Sequence, residues 1–231
     1  MSAGLFPDIY LGEEWGLMAK ETLKDKAYQI IKEKIITCQY WPGTLINETE
    51  LVKEVDSSHT PIREALSRLE QENLVKIMPK KGIWVTDVQM RDVRDVYEVR
   101  ELIEPHIIRR WACNIPKDEL KEYLECCEKA LEKVGDEKGK IELDDKLHDM
   151  ILDSCRNAHL YRTMKQLQDQ TRRMRIMTGD RNSRLKYSIA EHIDITKWII
   201  ADDYEKAVES MIYHLKQGKQ SSFDLLMGKG E

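Results

Sequence analysis

Apolar residues recur at helical spacing from Thr22 onward, at Leu23, Ala27, Ile30, Ile31 and Ile35, and the pattern stops at Trp41-Pro42-Gly43. A proline and a glycine there favour a turn, so the spacing predicts a first helix that ends before it. Asn47 stands where it can cap a second, short helix, with Glu50 three residues on as in a capping box and Leu51, Val52 and Val55 on the buried side. After the polar stretch Asp56-Ser57-Ser58-His59, Thr60 is the expected N-cap of a third helix with Pro61 at its first position, where a proline loses nothing. Ile62, Ala65, Leu66 and Leu69 follow i, i+3, i+4 and i+7 and mark its core face, while Arg63 and Ser67 point away together. Two short β-type runs, Leu74 to Met78 and Ile83 to Val88, flank Pro79-Lys80-Lys81-Gly82 and predict a hairpin with a basic tip.

Beyond Asp87 helical periodicity governs the chain from Arg91 to Met227, with breaks near Asn114 to Pro116, Gly135 to Gly139, Arg156-Asn157, Gly179 to Asn182 and Asp202-Asp203. The expected fold class is mainly α: a winged helix-turn-helix over residues 21–88, joined to an all-helical bundle of about six helices over residues 89–231. Residues 1–20 form an N-terminal extension without a motif.

Composition agrees with a helix-rich protein: of 231 residues 34% are charged and 41% hydrophobic, with six prolines and eleven glycines. No apolar run of about 18 residues could cross a bilayer, and the N-terminus lacks a basic-then-apolar secretion signal, so no membrane association and a cytoplasmic location are expected. Cys38, Cys113, Cys126, Cys127 and Cys155 show no CxxC spacing and an odd count, which suggests neither a thiolate zinc site nor a complete disulfide framework. A net charge of -5 argues against bulk coating of nucleic acid but leaves room for a small reading head with a few placed cations.

Two short helices joined by a tight polar turn let the second enter the major groove with its N-terminal residues at the base edges, here His59, Thr60 and Arg63. Arginine bonds guanine O6 and N7 with two donors at once, a pairing that discriminates by about 1–3 kcal/mol, which makes Arg63 the leading candidate for base readout. Lys80 and Lys81 at the wing tip can meet phosphates or the minor groove, Gly82 lets the backbone come close, and Thr49 and Ser58 near helix starts can bond phosphates. The plain alternative is a helical subdomain whose hairpin only packs at a boundary. A wing in the right place with lysines at its tip argues against it.

Residues Leu23 to Val85, above all Pro42-Gly43, Asn47-Glu48, Thr60-Pro61-Ile62-Arg63-Glu64-Ala65-Leu66, Leu69, Leu74-Val75 and Lys81-Gly82, resemble the winged-helix head of GntR-type bacterial transcription regulators. Two departures stand out: the family usually has arginine where this chain has His59, and Gly-Val where it has Asp56-Ser57. The resemblance implies binding to double-stranded operator DNA.

In the second domain, polar residues occupy positions where the pattern asks for apolar ones. Ile141, Asp144, His148, Ile151 and Cys155 share one helix face, so Asp144 and His148 point inward as neighbours. His192 shares a face with Ile195 and Ile199, and His214 one with Ala207 and Met211. A buried carboxylate and buried imidazoles need partners. One Asp oxygen and three His nitrogens suit a divalent ion, with zinc the leading candidate and nickel or manganese as alternatives. Any one of these histidines alone would read as a hydrogen-bonded core residue, and His59, His106 and His159 are expected as non-ligands.

Tyr97 to Glu104 with Arg100, Asp144 with His148, Asn157, Glu191-His192, Asp203, Ala207 and His214 resemble the all-helical effector domain of the FCD branch of the GntR family, with Leu147 where the family often has Phe. That resemblance implies a metal held by Asp144, His148, His192 and His214, a small organic acid as effector, and a homodimer. Arg100 and Asn157 match pocket-lining positions and are assigned to effector binding. The alternative for Arg100 is a pair with Glu104 on its own helix. The expected function is therefore a metabolite-responsive transcriptional regulator, in the sense of a repressor, rather than an enzyme. A metal-dependent hydrolase or isomerase and a pure metal sensor are the competing readings.

Overall fold

The Thr22 side chain accepts a hydrogen bond from the Asp25 amide and so opens α1 (Leu23–Ile36), the first element of a computed structural model that describes residues 22–133, 135–179 and 184–228. The expected N-terminal extension and most of the break at Gly179 to Asn182 lie outside the described residues. β1 (Leu45–Ile46), α2 (Glu48–Val55), α3 (His59–Gln71), β2 (Val75–Met78) and β3 (Gly82–Val85) complete the N-terminal region. Ile31, Ile35, Leu51, Ile62, Leu66, Leu69, Leu74 and Val85 close its core, and each carries the apolar spacing of its element.

Three details differ from the sequence expectation. Asn47 caps α2 through the Thr49 amide at 2.8 Å, one residue short of the Glu50 of a capping box. The third helix starts at His59 behind Ser58, not at Pro61 behind Thr60; Pro61 still falls inside the first turn, where a missing N–H costs no helix bond. The second wing strand ends at Val85 rather than Val88. The turn between α2 and α3 also explains a family departure: Asp56 takes φ 51° and ψ 57°, the left-handed conformation that a glycine commonly supplies and an aspartate tolerates.

β1 was not foreseen. Antiparallel to β3, it pairs Leu45 with Trp84 and Ile46 with Ile83, and gives a sheet of order β1-β3-β2. It also sets the constraint on Gly82, whose φ is +121° and whose missing Cβ leaves room for the Ile46 carbonyl oxygen, 2.7 Å from where that Cβ would stand. Gly82→Ala is therefore expected to destabilise the chain by about 1–3 kcal/mol, read as a lowered urea midpoint. An unchanged midpoint would remove β1 as the reason for this glycine.

The C-terminal region is built from α4 (Met90–Trp111), α5 (Lys117–Glu132), α6 (Glu137–Asp153), α7 (Ala158–Gly179), α8 (Arg184–Ile200) and α9 (Tyr204–Leu226), with a short 3-10 turn at Ala112–Asn114. α4 is fixed at its start by reciprocal bonds between Gln89 and Asp92 and runs on through Pro105. The bundle closes a second apolar core, separate from the first, around Ile107, Leu120, Tyr123, Leu147, Ile189, Ile195, Met211 and Leu215. Among the described residues no helix is long and apolar enough to cross a membrane.

α7 carries the contacts between the two regions. Lys32 of α1 lies 2.9 Å from Glu72 and 2.6 Å from Asp169 of α7, and Arg172 lies 3.5 Å from Glu33. Arg173, almost wholly buried, donates to the Thr86 carbonyl just past the wing.

Candidate functional site

α6 presents Asp144 and His148 on its inward face, α8 adds His192 and α9 adds His214, and one ligand atom from each lies within 4.8 Å of all the others. His214 Nε2 is 3.2 Å from His148 Nε2 and 3.3 Å from His192 Nε2, and His192 Nε2 is 3.6 Å from Asp144 Oδ1. All four are buried.

The other nitrogen of each ring fixes where its hydrogen sits. His148 Nδ1 meets Glu104 at 2.8 Å and His214 Nδ1 meets Glu191 at 2.8 Å. A carboxylate only accepts, so each Nδ1 must donate. His192 Nδ1 meets the Tyr123 hydroxyl at 3.0 Å, and that hydroxyl spends its hydrogen on the Leu143 carbonyl, so here too the ring donates. Three Nε2 lone pairs and a carboxylate oxygen therefore converge with no proton of their own to share, and Arg100 Nη2, 3.2 Å from His148 Nε2, can donate to that one ring. That arrangement repels itself unless a cation sits at its centre, and imidazoles with an anchored second nitrogen are the usual form of metal-ligating histidine. The donor set fits a divalent metal; three nitrogens and one oxygen suit zinc, nickel or manganese.

Charge balance supports the same reading. Burial pushes the Asp144 carboxyl up, but Arg175, with Nη1 2.8 Å from Oδ2, holds it well below the usual range. Ser188 donates to its Oδ1. Burial drives His192 well below the ordinary imidazole value despite Asp144, and lowers His214 to about 4 although Glu191 opposes it. His192 and His214 are thus held neutral, the form that binds metal.

Arg100 stands beside the cluster: its Nε donates to Glu104 at 2.6 Å, and Nη2 lies 3.2 Å from His148 Nε2. The pair with Glu104 and the place at the cluster coexist. Tyr97, Arg100, Arg184, Ser188 and His214 line a cavity of about 20 Å³, and Arg100, Glu104, Met164 and Gln168 line another of about 10 Å³. Each holds about one water. Asn157 does not join the cluster: it is exposed, and its Oδ1 accepts from the His159 and Leu160 amides to cap α7. His106 packs edge-on against Trp111, and His59 and His159 are exposed, so none joins the four.

Sequence reading missed Tyr123, Arg175 and Ser188, and took Glu104 and Glu191 only as family matches or pair partners. Glu104 carried a usable signal, a carboxylate on the buried face of α4 among Ile107 and Ile108. Tyr123 carried none, since a tyrosine at a core position is ordinary.

At the other end of the molecule Thr49, Ser58, His59, Thr60, Lys80 and Lys81 are exposed and Gly82 is half-buried. Arg63 is 70% exposed, and its Nε donates to Glu48 Oε1 at 2.8 Å. His59 Nδ1 meets the same oxygen at 2.8 Å.

Comparison with known proteins gives two family matches: the model described as bacterial regulatory proteins, gntR family, over residues 23–85, and the FCD domain over residues 95–217. The chain is 28% identical over 190 residues to the uncharacterized HTH-type transcriptional regulator YdhC of Bacillus subtilis, covering 81% of this chain and 85% of that one. It is 25% identical over 212 residues to the HTH-type transcriptional repressor RspR of Escherichia coli, covering 90% and 92%. The solved structure of E. coli McbR/YncC superimposes with a TM-score of 0.75 at 21% identity, covering 90% of this chain and 99% of the other, a likeness of fold.

Proposed function

This chain belongs to the GntR family of bacterial regulatory proteins and carries its FCD domain, and from that premise we propose a homodimeric repressor that reads operator DNA and senses a small organic acid at a divalent metal. The family and the matched relatives are transcriptional regulators, which supports a regulator over the competing metal-dependent hydrolase or isomerase. RspR is named a repressor, which supports that sense of control.

The convergence of three ring Nε2 atoms and one carboxylate oxygen carries the metal reading. Asp144, His148, His192 and His214 would hold the ion, and zinc leads over nickel and manganese. A bound divalent ion supplies a Lewis-acidic point to which a carboxylate can attach, and Arg100 and Arg184 stand where they can neutralise that anion.

A switch needs a route from this site to the head and two states that the effector binds unequally. α7 offers the route. Arg175 holds Asp144 and Asp145, Arg172 joins Asp145 to Glu33 of α1, and Arg173 grips the Thr86 carbonyl. A cleft of about 840 Å³ between the wing side of the head and the bundle leaves space for the head to move.

Operator footprinting of the metal-loaded protein with and without a panel of di- and tricarboxylates tests the switch, and unchanged occupancy for every acid would reject it. In the same assay Arg63→Ala is expected to weaken specific binding by about 1–3 kcal/mol and leave a salt-sensitive non-specific residue. A mutant with unaltered operator preference would overturn the assignment. The two one-water cavities favour a second reading, in which the metal alone is the signal. Titrating DNA affinity with metal in the absence of organic acid separates the two.

A further inference from the structure

We propose that Glu48 decides which base His59 reads: it holds the imidazole hydrogen on Nδ1, so that Nε2 meets DNA as an acceptor and selects a base with an amino group in the major groove, cytosine before adenine. The inference rests on the DNA-reading role proposed above for the start of α3.

Glu48 opens α2 and His59 opens α3, while Arg63 follows His59 by about one helical turn. A single carboxylate oxygen, Glu48 Oε1, lies 2.8 Å from both His59 Nδ1 and Arg63 Nε. The carboxylate side chain is 28% exposed against 56% for His59 and 70% for Arg63, so Glu48 is the inner anchor and the other two are outward tips. A carboxylate has no hydrogen to give, so the ring nitrogen that faces it carries one. In a neutral imidazole the opposite nitrogen is then a bare acceptor. Arg63 spends Nε on the same oxygen and keeps both terminal nitrogens as a donor fork.

The head thus presents two adjacent readers of opposite polarity. The Arg63 fork matches guanine, which offers O6 and N7 as acceptors. His59 Nε2 matches the cytosine N4 amino group; adenine also offers a donor at N6, but its neighbouring N7 is a second acceptor facing the lone pair. Guanine and thymine present only acceptors to it. Glu48 acts here as a positioning residue, touching no base itself.

The test is selection from operator half-sites randomised in full, using the full-length protein at about pH 8. His59→Ala marks the position that His59 reads as the one whose base preference it alone abolishes. At that position the wild type is expected to enrich cytosine, with adenine second, by at least about fivefold over guanine. Glu48→Gln offers an amide that can donate to Nδ1 and move the ring hydrogen to Nε2, so the preference there should vanish or turn to guanine. A loss of mere packing would not change base identity, and the metal-free melting temperature of each variant checks the fold.

Guanine or thymine at the marked position in the wild type overturns the proposal, as does a Glu48→Gln protein that keeps cytosine. A defined operator in which His59→Ala changes no position also overturns it. Failure of the wild type to enrich any sequence would instead remove the DNA-reading premise, and this inference with it.

Discussion

His192→Ala will lower the affinity for Zn²⁺ by more than about 100-fold, because a second-sphere partner of a ligand is worth about 10–100-fold and a ligand itself exceeds that. His192 is fully buried, and its ring centroid lies 4.5 Å from that of His214 and 5.1 Å from that of His148. Tyr123→Phe offers the graded control: it keeps every ligand but takes away the acceptor at His192 Nδ1, and should cost about 10–100-fold. Competition against a chromophoric chelator measures both, with the metal-free melting temperature confirming the fold. Equal affinity in wild type and His192→Ala would dismiss the four-residue site.

The metal-free protein will lose stability as the pH falls from about 6.5 to about 4. The folded state holds His214 at about 4, below its ordinary value of 6.5, chiefly through burial. An unfolded chain takes up its proton below about 6.5 while the folded one does not, so stability is full above that value and is lost on the way down. For His214 alone the loss is on the order of 3 kcal/mol. His192 shifts in the same direction and adds to it. Urea midpoints of chelator-treated protein at about pH 7.5 and about pH 4.5 read the difference, and His214→Gln should flatten it. With metal bound the loss will begin at lower pH, since metal and proton compete for the same lone pairs. A metal-free protein with equal midpoints at both pH values would mean that these rings are not held neutral.

The head was legible because its two longer helices repeat their apolar residues over about two turns, as Ile62, Ala65, Leu66 and Leu69 do in α3. β1, with its two residues, is too short to show a period, and only its pairing with β3 reveals it. The start of α3 was displaced because Ser58 and Thr60 are both capping types and proline is tolerated throughout a first turn. Asp144, His148, His192 and His214 stood out as polar groups on apolar stripes. Their partners did not, because Glu104, Tyr123, Arg175 and Glu191 come from four helices that only tertiary packing brings together. Asn157 shows the reverse difficulty: an asparagine before a helix suits a polar pocket and an N-cap equally, and the described geometry makes it a cap.

The cavities of about 20 Å³ and 10 Å³ beside the histidines also set a rate. An effector larger than a water that enters either of these two cavities must wait for the surrounding helices to part. Its observed association rate will therefore level off at high concentration, at the frequency of opening rather than of collision. Its apparent dissociation constant will exceed the intrinsic one by the inverse of the open fraction, about 100-fold if one molecule in a hundred is open. Variants that loosen the packing of α4 against α9 would then bind effector faster and more tightly without touching it.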